Sequence, residues 1–456
     1  MTTCTSRAAW LNLLRRLHFD NGQFIGPFIF VAAVTGTLYV ATPQLENWLY
    51  HEALQGSLNG ERQPLSAQIA VAKEATQNNL RLQAVRPGIT SGETTRVMFA
   101  DPRLGESEDR AIFVDPVTLR VKGDLTVYGT SGILPLRQWI DYAHKSLLLG
   151  DGGRLYSELA ASWMWVAALG GIALWAMTRP KRRIHNRLQN TRRLHVTLGW
   201  MLLVGMLLFS ATGLTWSQWA GGNVDKMRAA FGWLTPQVNT QLHGGEAMPP
   251  DPHAGHHMAH MAMDEPQVKV TADRFDSVLQ VAQAAGLTAS KLEIRPPKSA
   301  GMAWTVNEID RSWPTRVDAV AIDGETLQVV DRTRFSDFPL MAKLTRWGVD
   351  FHMGILFGLA NQLLLVAFGL ALCVMIVVGY RLWWIRRPAQ SAFNTAQTLV
   401  QAWLGLSVAA RALALLIALL LGLAVPLMGV SLVACLVVDY LRWRAASAMR
   451  LAKSVD

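Results

Sequence analysis

Long uncharged runs alternate with polar segments along the chain, and this alternation predicts most of its elements. A helix needs about 20 apolar residues to cross the hydrocarbon core of a bilayer. Four runs without Lys, Arg, Asp or Glu reach that length: Asn21 to Leu45, Leu159 to Thr178, Leu194 to Val224 and Phe351 to Tyr380. A fifth apolar region, Pro388 to Val438, contains only Arg411 as a charge, and its Pro426 to Gly429 break predicts two helices. The pattern therefore predicts six transmembrane helices.

Two long segments between these runs have a globular composition and share one layout, a helix followed by strands. The first predicts a helix from Leu65 to about Gln77, strands at Arg81 to Val85, Thr94 to Phe99 and Ala111 to Val114, and a turn at Asp115-Pro116. The second predicts a helix from Ala272 to Ala285, strands at Lys291 to Ile294, Ala303 to Glu308 and Arg316 to Ile322, a hairpin turn at Asp323-Gly324 and a strand at Leu327 to Asp331. We expect two small α+β domains.

The chain also contains an internal repeat in strict register. An offset of 177 relates Arg15-Arg16-Leu17-His18, Gly22 and Thr35-Gly36 to Arg192-Arg193-Leu194-His195, Gly199 and Thr212-Gly213. An offset of 208 relates Trp139, His144, Gly150, Gly171, Trp175, Arg179 and Pro180 to Trp347, His352, Gly358, Gly379, Trp383, Arg387 and Pro388. The chain is therefore two copies of one unit, helix, outer domain and helix. The second copy is longer by the difference between the offsets.

Charge sets the expected orientation. The chain is 51% hydrophobic with a formal net charge of +10, and the residues between the second and third runs include seven basic and no acidic side chains. Lys and Arg collect on the cytoplasmic side of a membrane protein, so this loop and both termini are expected inside. The basic residues lie where this rule places them, so we expect no nucleic-acid partner. The first run is interpreted as a retained helix, and a cleaved signal peptide is the alternative.

These patterns give the expected boundaries. The cytoplasmic parts are residues 1–23, 179–193, 385–407 and 442–456. The helices are residues 24–45, 157–178, 194–219, 351–384, 408–424 and 426–441. The outer domains are residues 46–156 and 220–350, and the second contains a His/Met-rich insertion at 242–265. The predicted fold class is a mostly α membrane protein with a duplicated four-helix core, two outer α+β domains and a C-terminal two-helix hairpin.

Four histidines occupy repeat-related positions at the ends of the predicted helices. The first and third helices run outward, which places His18 and His195 near the cytoplasmic face. The second and fourth run inward, which places His144 and His352 near the outer face. Repeat-related residues lie symmetrically about a common axis, so each pair is expected to converge. Facing imidazoles in a helix bundle are typical of bis-histidine ligation of b-type haem. The sequence predicts two such sites, one at either end.

Other residues fit the predicted cofactor. Arg16, Arg193 and Lys145 are candidates to neutralise haem propionates, and Gly22 and Gly199 would let a flat macrocycle approach the backbone. No C-x-x-C-H occurs, which excludes covalent attachment of a c-type haem. For a single histidine at a membrane boundary, an interfacial residue bonded to a neighbour or a headgroup is the alternative.

The insertion at 242–265 is low in complexity and rich in imidazole and thioether groups. Such ligands suit copper and, for the imidazoles, zinc or nickel. A disordered polar insertion with adventitious metal affinity is the alternative. The candidate metal ligands are His253, His256, His257, His260, Met258, Met261 and Met263.

The duplicated plan, with RRLH before the first and third helices and H-x5-G before the second and fourth, resembles the PepSY-associated transmembrane family. Within it the likeness is to bacterial inner-membrane ferric-siderophore reductases and related iron-regulated membrane proteins, and it covers residues 10–388. The resemblance implies PepSY-like periplasmic domains and a membrane-bound b-type haem metalloreductase. Such a protein passes electrons to a ferric siderophore so that iron is released. Two features depart from the family pattern, the His/Met insertion and the two C-terminal helices.

The electron donor and two other functions stay open at this point. No G-x-G-x-x-G or phosphate-binding loop occurs, so the donor is expected to be a separate cytoplasmic flavoprotein, flavin or quinol. One alternative function is copper or nickel binding and reduction through the His/Met tract. The other is a non-enzymatic membrane module whose PepSY-like domains bind peptides or regulate a protease.

Overall fold

The computed structural model describes residues 6–178, 186–242, 270–386 and 398–452, which form two compact units. The membrane unit comprises Met1–Tyr39, Asp141–Met227 and Leu363–Asp456, and the outer unit comprises Val40–Ile140 and Arg228–Gln362. The helices of the described residues are α1 (Ser6–Phe24), α2 (Gly26–Val40), α3 (Thr42–Leu49), α4 (His51–Leu54), α5 (Leu65–Ala75), α6 (Pro135–Ser146), α7 (Gly150–Met177), α8 (Arg187–Thr215), α9 (Trp219–Ala230), α10 (Asp273–Ala284), α11 (Leu340–His352), α12 (Gly358–Arg386), α13 (Leu399–Leu404), α14 (Val408–Ala424) and α15 (Pro426–Ala452).

Within these described ranges, four helices are long and apolar enough to cross a membrane: α7, α8, α12 and residues Pro426–Ala448 of α15. Helices α1 and α2 pass the same test only as a pair, and they bend by 53° where they meet. Helix α14 is also apolar but has only 17 residues. The described part of the chain thus contains four spans, or five if the bent pair counts as one. The sixth predicted span stays a prediction.

The bend in the first span has a local cause. Pro27 has no N–H and cannot bond the carbonyl of Gln23 four residues earlier. That carbonyl instead accepts a hydrogen bond of 2.8 Å from the hydroxyl of Tyr380 on α12. Gly26 leaves room for the tyrosine, since a Cβ there would lie 3.3 Å from the Tyr380 hydroxyl. The first run, predicted as one continuous helix, is therefore two helices that meet at Ile25.

Two repeat-related glycines explain the H-x5-G spacing. Helix α6 ends two residues after His144, and α7 begins at Gly150, whose φ is +63°. Helix α11 ends at His352, and α12 begins at Gly358, whose φ is +55°. A residue with a Cβ adopts this left-handed conformation only at a cost. Each glycine thus permits a sharp break, and each histidine lies at the C-terminal end of a short helix before a membrane span.

The outer unit contains one antiparallel sheet of eight strands, in the order β4-β3-β2-β1-β5-β6-β7-β8. Strands β1 and β5, the first of each copy, join the halves through the pair Val85↔Ile294. Helices α5 and α10 pack together over one face, where Ile69 and Phe275 are fully buried. The two outer segments, predicted as separate domains, therefore share one sheet and one core. The strands are β1 (Arg81–Arg86), β2 (Thr95–Ala100), β3 (Glu108–Val114), β4 (Val121–Tyr128), β5 (Leu292–Arg295), β6 (Trp304–Glu308), β7 (Ala319–Ile322) and β8 (Val329–Thr333).

Seven of these strands lie where the pattern predicts them, with ends shifted by up to three residues. Strand β4 was not predicted, because Lys122, Gly123 and Asp124 interrupt its apolar alternation. It is an edge strand that follows the predicted turn at Asp115, whose carboxylate accepts hydrogen bonds from the backbone of Val117. Burial raises the pKa of an isolated carboxyl, but the hydrogen bonds to Asp115 lower its pKa to about 2.

The junction between the halves of the sheet carries a buried ion pair. Arg86 of β1 donates from Nε to Glu293 of β5 at 2.7 Å, and Arg295 donates from Nε to the same carboxylate at 2.6 Å. Burial would raise the pKa of Glu293, but the two arginines lower it to about 2 by their charges and hydrogen bonds. The junction therefore contains an ionised carboxylate whose two oxygens are both bonded.

The C-terminal helices are linked to the first repeat through the short helix α13, which packs against α1. The backbone N–H of Val400 donates to the carboxylate of Asp439 on α15 at 2.9 Å. At the other end of α13, Arg411 of α14 donates to the carbonyls of Trp403 and Leu404 at 3.2 and 2.8 Å. The sequence leaves open whether Arg411 and Asp439 pair with each other. In the structure they cap opposite ends of α13.

Candidate functional site

The inner histidines predicted to converge do so within the membrane unit. His18 lies on α1 and His195 on α8, with their ring centres 6.4 Å apart and their planes inclined by 71°. A metal ion bound to one nitrogen of each ring at about 2 Å places the ring centres roughly 6 Å apart. Each ring plane contains the line that joins the two nitrogens through the ion. The rings can rotate about this line, so any angle between their planes is compatible with a shared ion. The separation of His18 and His195 therefore fits two imidazoles that share one metal.

Each inner histidine ring packs against a glycine of a neighbouring helix. A Cβ on Gly171 of α7 would lie 3.1 Å from Cε1 of His18, and a Cβ on Gly379 of α12 would lie 3.4 Å from Cε1 of His195. These two glycines are related by the same offset of 208 residues as the outer histidines. The repeat therefore supplies each histidine and also the glycine against which its ring packs. Gly171 and Gly379 are called the seat glycines below.

A hydrogen bond selects the free nitrogen of one inner ring, that of His195. Nδ1 of His195 lies 3.2 Å from the carbonyl of Met375, a group that can only accept. The carbonyl of Ala167, the repeat partner of Met375, neighbours the buried Nδ1 of His18, without the geometry of a full hydrogen bond. A ring that donates through Nδ1 keeps the lone pair on Nε2, which is the usual arrangement of a histidine metal ligand.

The first of the outer histidines has a similar surrounding. A Cβ on Gly36 of α2 would lie 3.1 Å from Cε1 of His144, and the hydroxyl of Thr35 lies 3.0 Å from its Nδ1. His144 belongs to the membrane unit and His352 to the outer unit. The convergence of His144 with His352 stays a prediction.

The candidate propionate partners lie in different surroundings. Arg16 is half-buried, in the electrostatic field of Asp20 and Asp439, whereas Arg193 is exposed. The Nζ of Lys145 lies 3.7 Å from Asp141 and over the ring of Tyr142. A Cβ on Gly22 would meet nothing within 4 Å, which leaves the predicted space beside α1.

The metal ligands predicted in the His/Met tract, residues 253–263, lie outside the described residues. Among the residues that the structure does describe, no group of three or more His, Cys, Asp or Glu side chains is arranged to hold a metal ion.

Three features of the site were missed or left without a role at the level of sequence. The repeat aligned Gly171 with Gly379, but spacing alone does not show that a glycine faces a ring on another helix. Thr35 belongs to the Thr-Gly dipeptide that recurs, yet only the structure brings it to His144. The hydroxyl of Tyr156 donates to the carbonyl of His144, and the residue at the equivalent position is Leu364, so no sequence signal marked it.

Apolar helices with paired histidines, joined in the chain to an antiparallel sheet, define a helical membrane protein with a duplicated core. A family model described as the PepSY-associated TM region matches residues 15–386, and the chain belongs to this family. The match includes all four paired histidines and ends where α12 ends, so α13, α14 and α15 lie beyond it. No curated protein sequence matches the chain significantly.

Proposed function

We propose that the chain is a haem-containing transmembrane reductase that passes electrons from a cytoplasmic donor to a periplasmic ferric chelate. The observation that carries the proposal is the inner pair, His18 and His195, whose separation of 6.4 Å suits a shared metal. The Nδ1 contact of His195 and the glycines beside both rings suit two histidines that would ligate a b-type haem.

The proposed topology has six spans, with both termini in the cytoplasm of a bacterium and both large segments in the periplasm. Arg187, Arg192 and Arg193 at the start of α8 support it, because basic residues collect at the cytoplasmic end of a span. His18 and His195 are then the inner ligands, and His144 and His352 are the outer ones.

Haem, when bound, supplies reversible one-electron transfer at its iron. His18 and His195 would hold it at the inner site, and the apolar helices around them would keep water away from it. A cell interior is negative, so an electron moving outward gains about 2.3 kcal/mol per 100 mV. The direction from His18 and His195 to His144 and His352 is therefore favourable.

The proposed substrate is a ferric ion held by a chelator with hard oxygen donors. Such a chelator binds Fe(III) far more tightly than the softer, less charged Fe(II). One electron delivered to the chelate weakens the complex and releases iron. A siderophore has this chemistry.

The test is the optical spectrum of the purified protein before and after dithionite. We expect a reducible b-type haem that disappears in the double variant His195→Ala, His352→Ala. A matched control is His51→Ala, since His51 is exposed and has no counterpart at the repeat offset. A protein without haem, or a haem that survives in the double variant, would overturn the proposal.

Copper reduction is a second candidate, because the tract at residues 243–263 supplies His and Met side chains that suit copper. Deletion of this tract separates the two candidates. We expect the deleted protein to reduce a ferric chelate at the rate of the full chain. Loss of Cu(II) reduction with ferric reduction intact would assign copper to the tract. A haem-free protein that binds a peptide or protease would favour the non-enzymatic module.

A further inference from the structure

A contact between α7 and α8 in the membrane unit has a different equivalent in the other half of the repeat. Arg192 of α8 donates to the hydroxyl of Thr178, just after α7, at 2.9 Å. The offset of 177 residues relates Arg192 to Arg15 of α1. The offset of 208 residues relates Thr178 to Arg386, the last residue of α12. The equivalent of this arginine–threonine contact is therefore a pair of arginines.

The structure brings these two arginines to the same end of the membrane unit. Helix α12 runs antiparallel to the first span and contacts it where the hydroxyl of Tyr380 donates to the carbonyl of Gln23 at 2.8 Å. Arg386 follows Tyr380 and Arg15 precedes Gln23, so both arginines lie in the same direction from this contact. Arg386 lies in the electrostatic field of Arg15 and Arg192, and in the described part of the chain no carboxylate is among the charges that act on it. Arg15, Arg192 and Arg386 are called the arginine triad below.

The arginine triad lies on one side of the inner histidines. Its two repeat-related members each precede a histidine, His18 or His195, by three residues, which is about 4.5 Å along a helix axis. Its third member, Arg386, follows the seat glycine Gly379 by seven residues, and this spacing returns to the same face of α12. The charge of Arg386 also acts on His195, whose ring packs against Gly379.

Three cations in one place repel one another unless an anion lies between them. The preference of basic residues for the cytoplasmic end of a span explains each arginine singly. It does not explain why arginines of three helices converge in register with two histidines. A guanidinium group binds a carboxylate or a phosphate through two parallel hydrogen bonds. Haem carries two carboxylates, its propionates, on one edge of the macrocycle.

We propose that the arginine triad binds the propionates of a haem that His18 and His195 hold. The inference rests on the proposed function, and the triad and both histidines belong to the membrane unit. Arg16, a candidate partner from the sequence, lies instead in the field of two carboxylates, Asp20 and Asp439. The triad therefore supplies positive charge that the described carboxylates do not balance.

The test compares haem with its dimethyl ester, whose esterified propionates carry no charge. Both are titrated optically into the full chain purified without haem. At the inner site, which His195→Ala removes, we expect haem to bind at least about 10-fold more tightly than the ester, because hydrogen bonds between charged groups are lost. The double variant Arg15→Gln, Arg386→Gln should lose this preference. The matched control Arg193→Gln, Arg381→Gln removes two charges from exposed positions of α8 and α12 and should keep it.

Equal affinities of the full chain for haem and the ester at the inner site would overturn the inference without any variant. If the double variant does not fold, Arg386→Gln alone decides: a smaller preference for haem supports the inference, and an unchanged preference overturns it. The phosphate of an anionic lipid is the other source of such an anion. A double variant that loses co-purified anionic lipid but keeps its preference for haem would assign the triad to lipid and overturn the inference. A full chain that binds neither haem nor the ester would instead overturn the proposed function.

Discussion

At the residue scale, the candidate site consists of two histidine rings that each pack against a glycine of another helix. The offset of 177 residues predicted that His18 and His195 converge, and their rings do so. The offset could not show that Gly171 and Gly379 seat these rings, because contacts between helices depend on how the helices rotate against each other. Nor could it find Tyr156, which breaks the symmetry of the repeat.

The seat glycines give a prediction at this scale. In Gly171→Val the added side chain would occupy the space of the His18 ring, since a Cβ alone would lie 3.1 Å from it. We expect haem affinity at the inner site to fall by about 10-fold or more, while the outer site is unchanged. The haem content per protein should therefore approach one instead of two. Gly152→Val on the same helix is the control, because a Cβ there would meet nothing within 4 Å. Equal haem content in both variants would contradict this role.

At the element scale, local pattern located seven of the eight strands, but not the sheet they form. The break at Gly150 and the bend beside Pro27 follow from backbone chemistry that single residues reveal. The junction between β1 and β5 joins residues 209 positions apart, Val85 and Ile294, and local periodicity carries no information on such a pairing. The sequence pattern gave no sign that Arg86, Glu293 and Arg295 bond one another at this junction.

The buried carboxylate at this junction gives a stability prediction. Glu293→Gln leaves two buried guanidinium groups without their counter-charge, which typically costs about 3–5 kcal/mol. We expect faster hydrogen exchange of the β1 and β5 amides at neutral pH. Asp124→Asn, which removes an exposed pair with Arg110 at 2.5 Å, should cost less than about 1 kcal/mol. Equal protection in the two variants would show that the Glu293 pair does not stabilise the junction.

The same carboxylate gives the junction a defined response to acid. The pKa of Glu293 is lowered from 4.5 to about 2 in the folded protein. A carboxyl with a lowered pKa stabilises the fold fully above its unfolded value and loses this contribution as the pH falls through the folded value. We therefore expect the protection of the β1 and β5 amides to decline between about pH 4.5 and pH 2. Glu293→Gln should remove this part of the acid response, and an identical pH profile in the variant would contradict the assignment.

At the scale of the whole molecule, the duplication organises both units. Two copies of the same unit supply two halves of one sheet in the outer unit and equivalent histidine seats in the membrane unit. The repeat made this duplication predictable, whereas the sharing of one sheet and the capping of α13 by Asp439 depend on tertiary packing. The helices beyond residue 386 contact α1, the helix that carries His18, through α13.

The central claim, that electrons cross the membrane through this chain, is tested most directly in sealed vesicles that contain the purified haem-loaded protein. A reductant is enclosed inside, and a ferric chelate with a colorimetric Fe(II) trap is supplied outside. We predict Fe(II) formation outside with the full chain and with His51→Ala, and at least about 100-fold less with His195→Ala, which removes a proposed haem ligand. A rate equal to that of protein-free vesicles, or one unaffected by His195→Ala, would contradict the account.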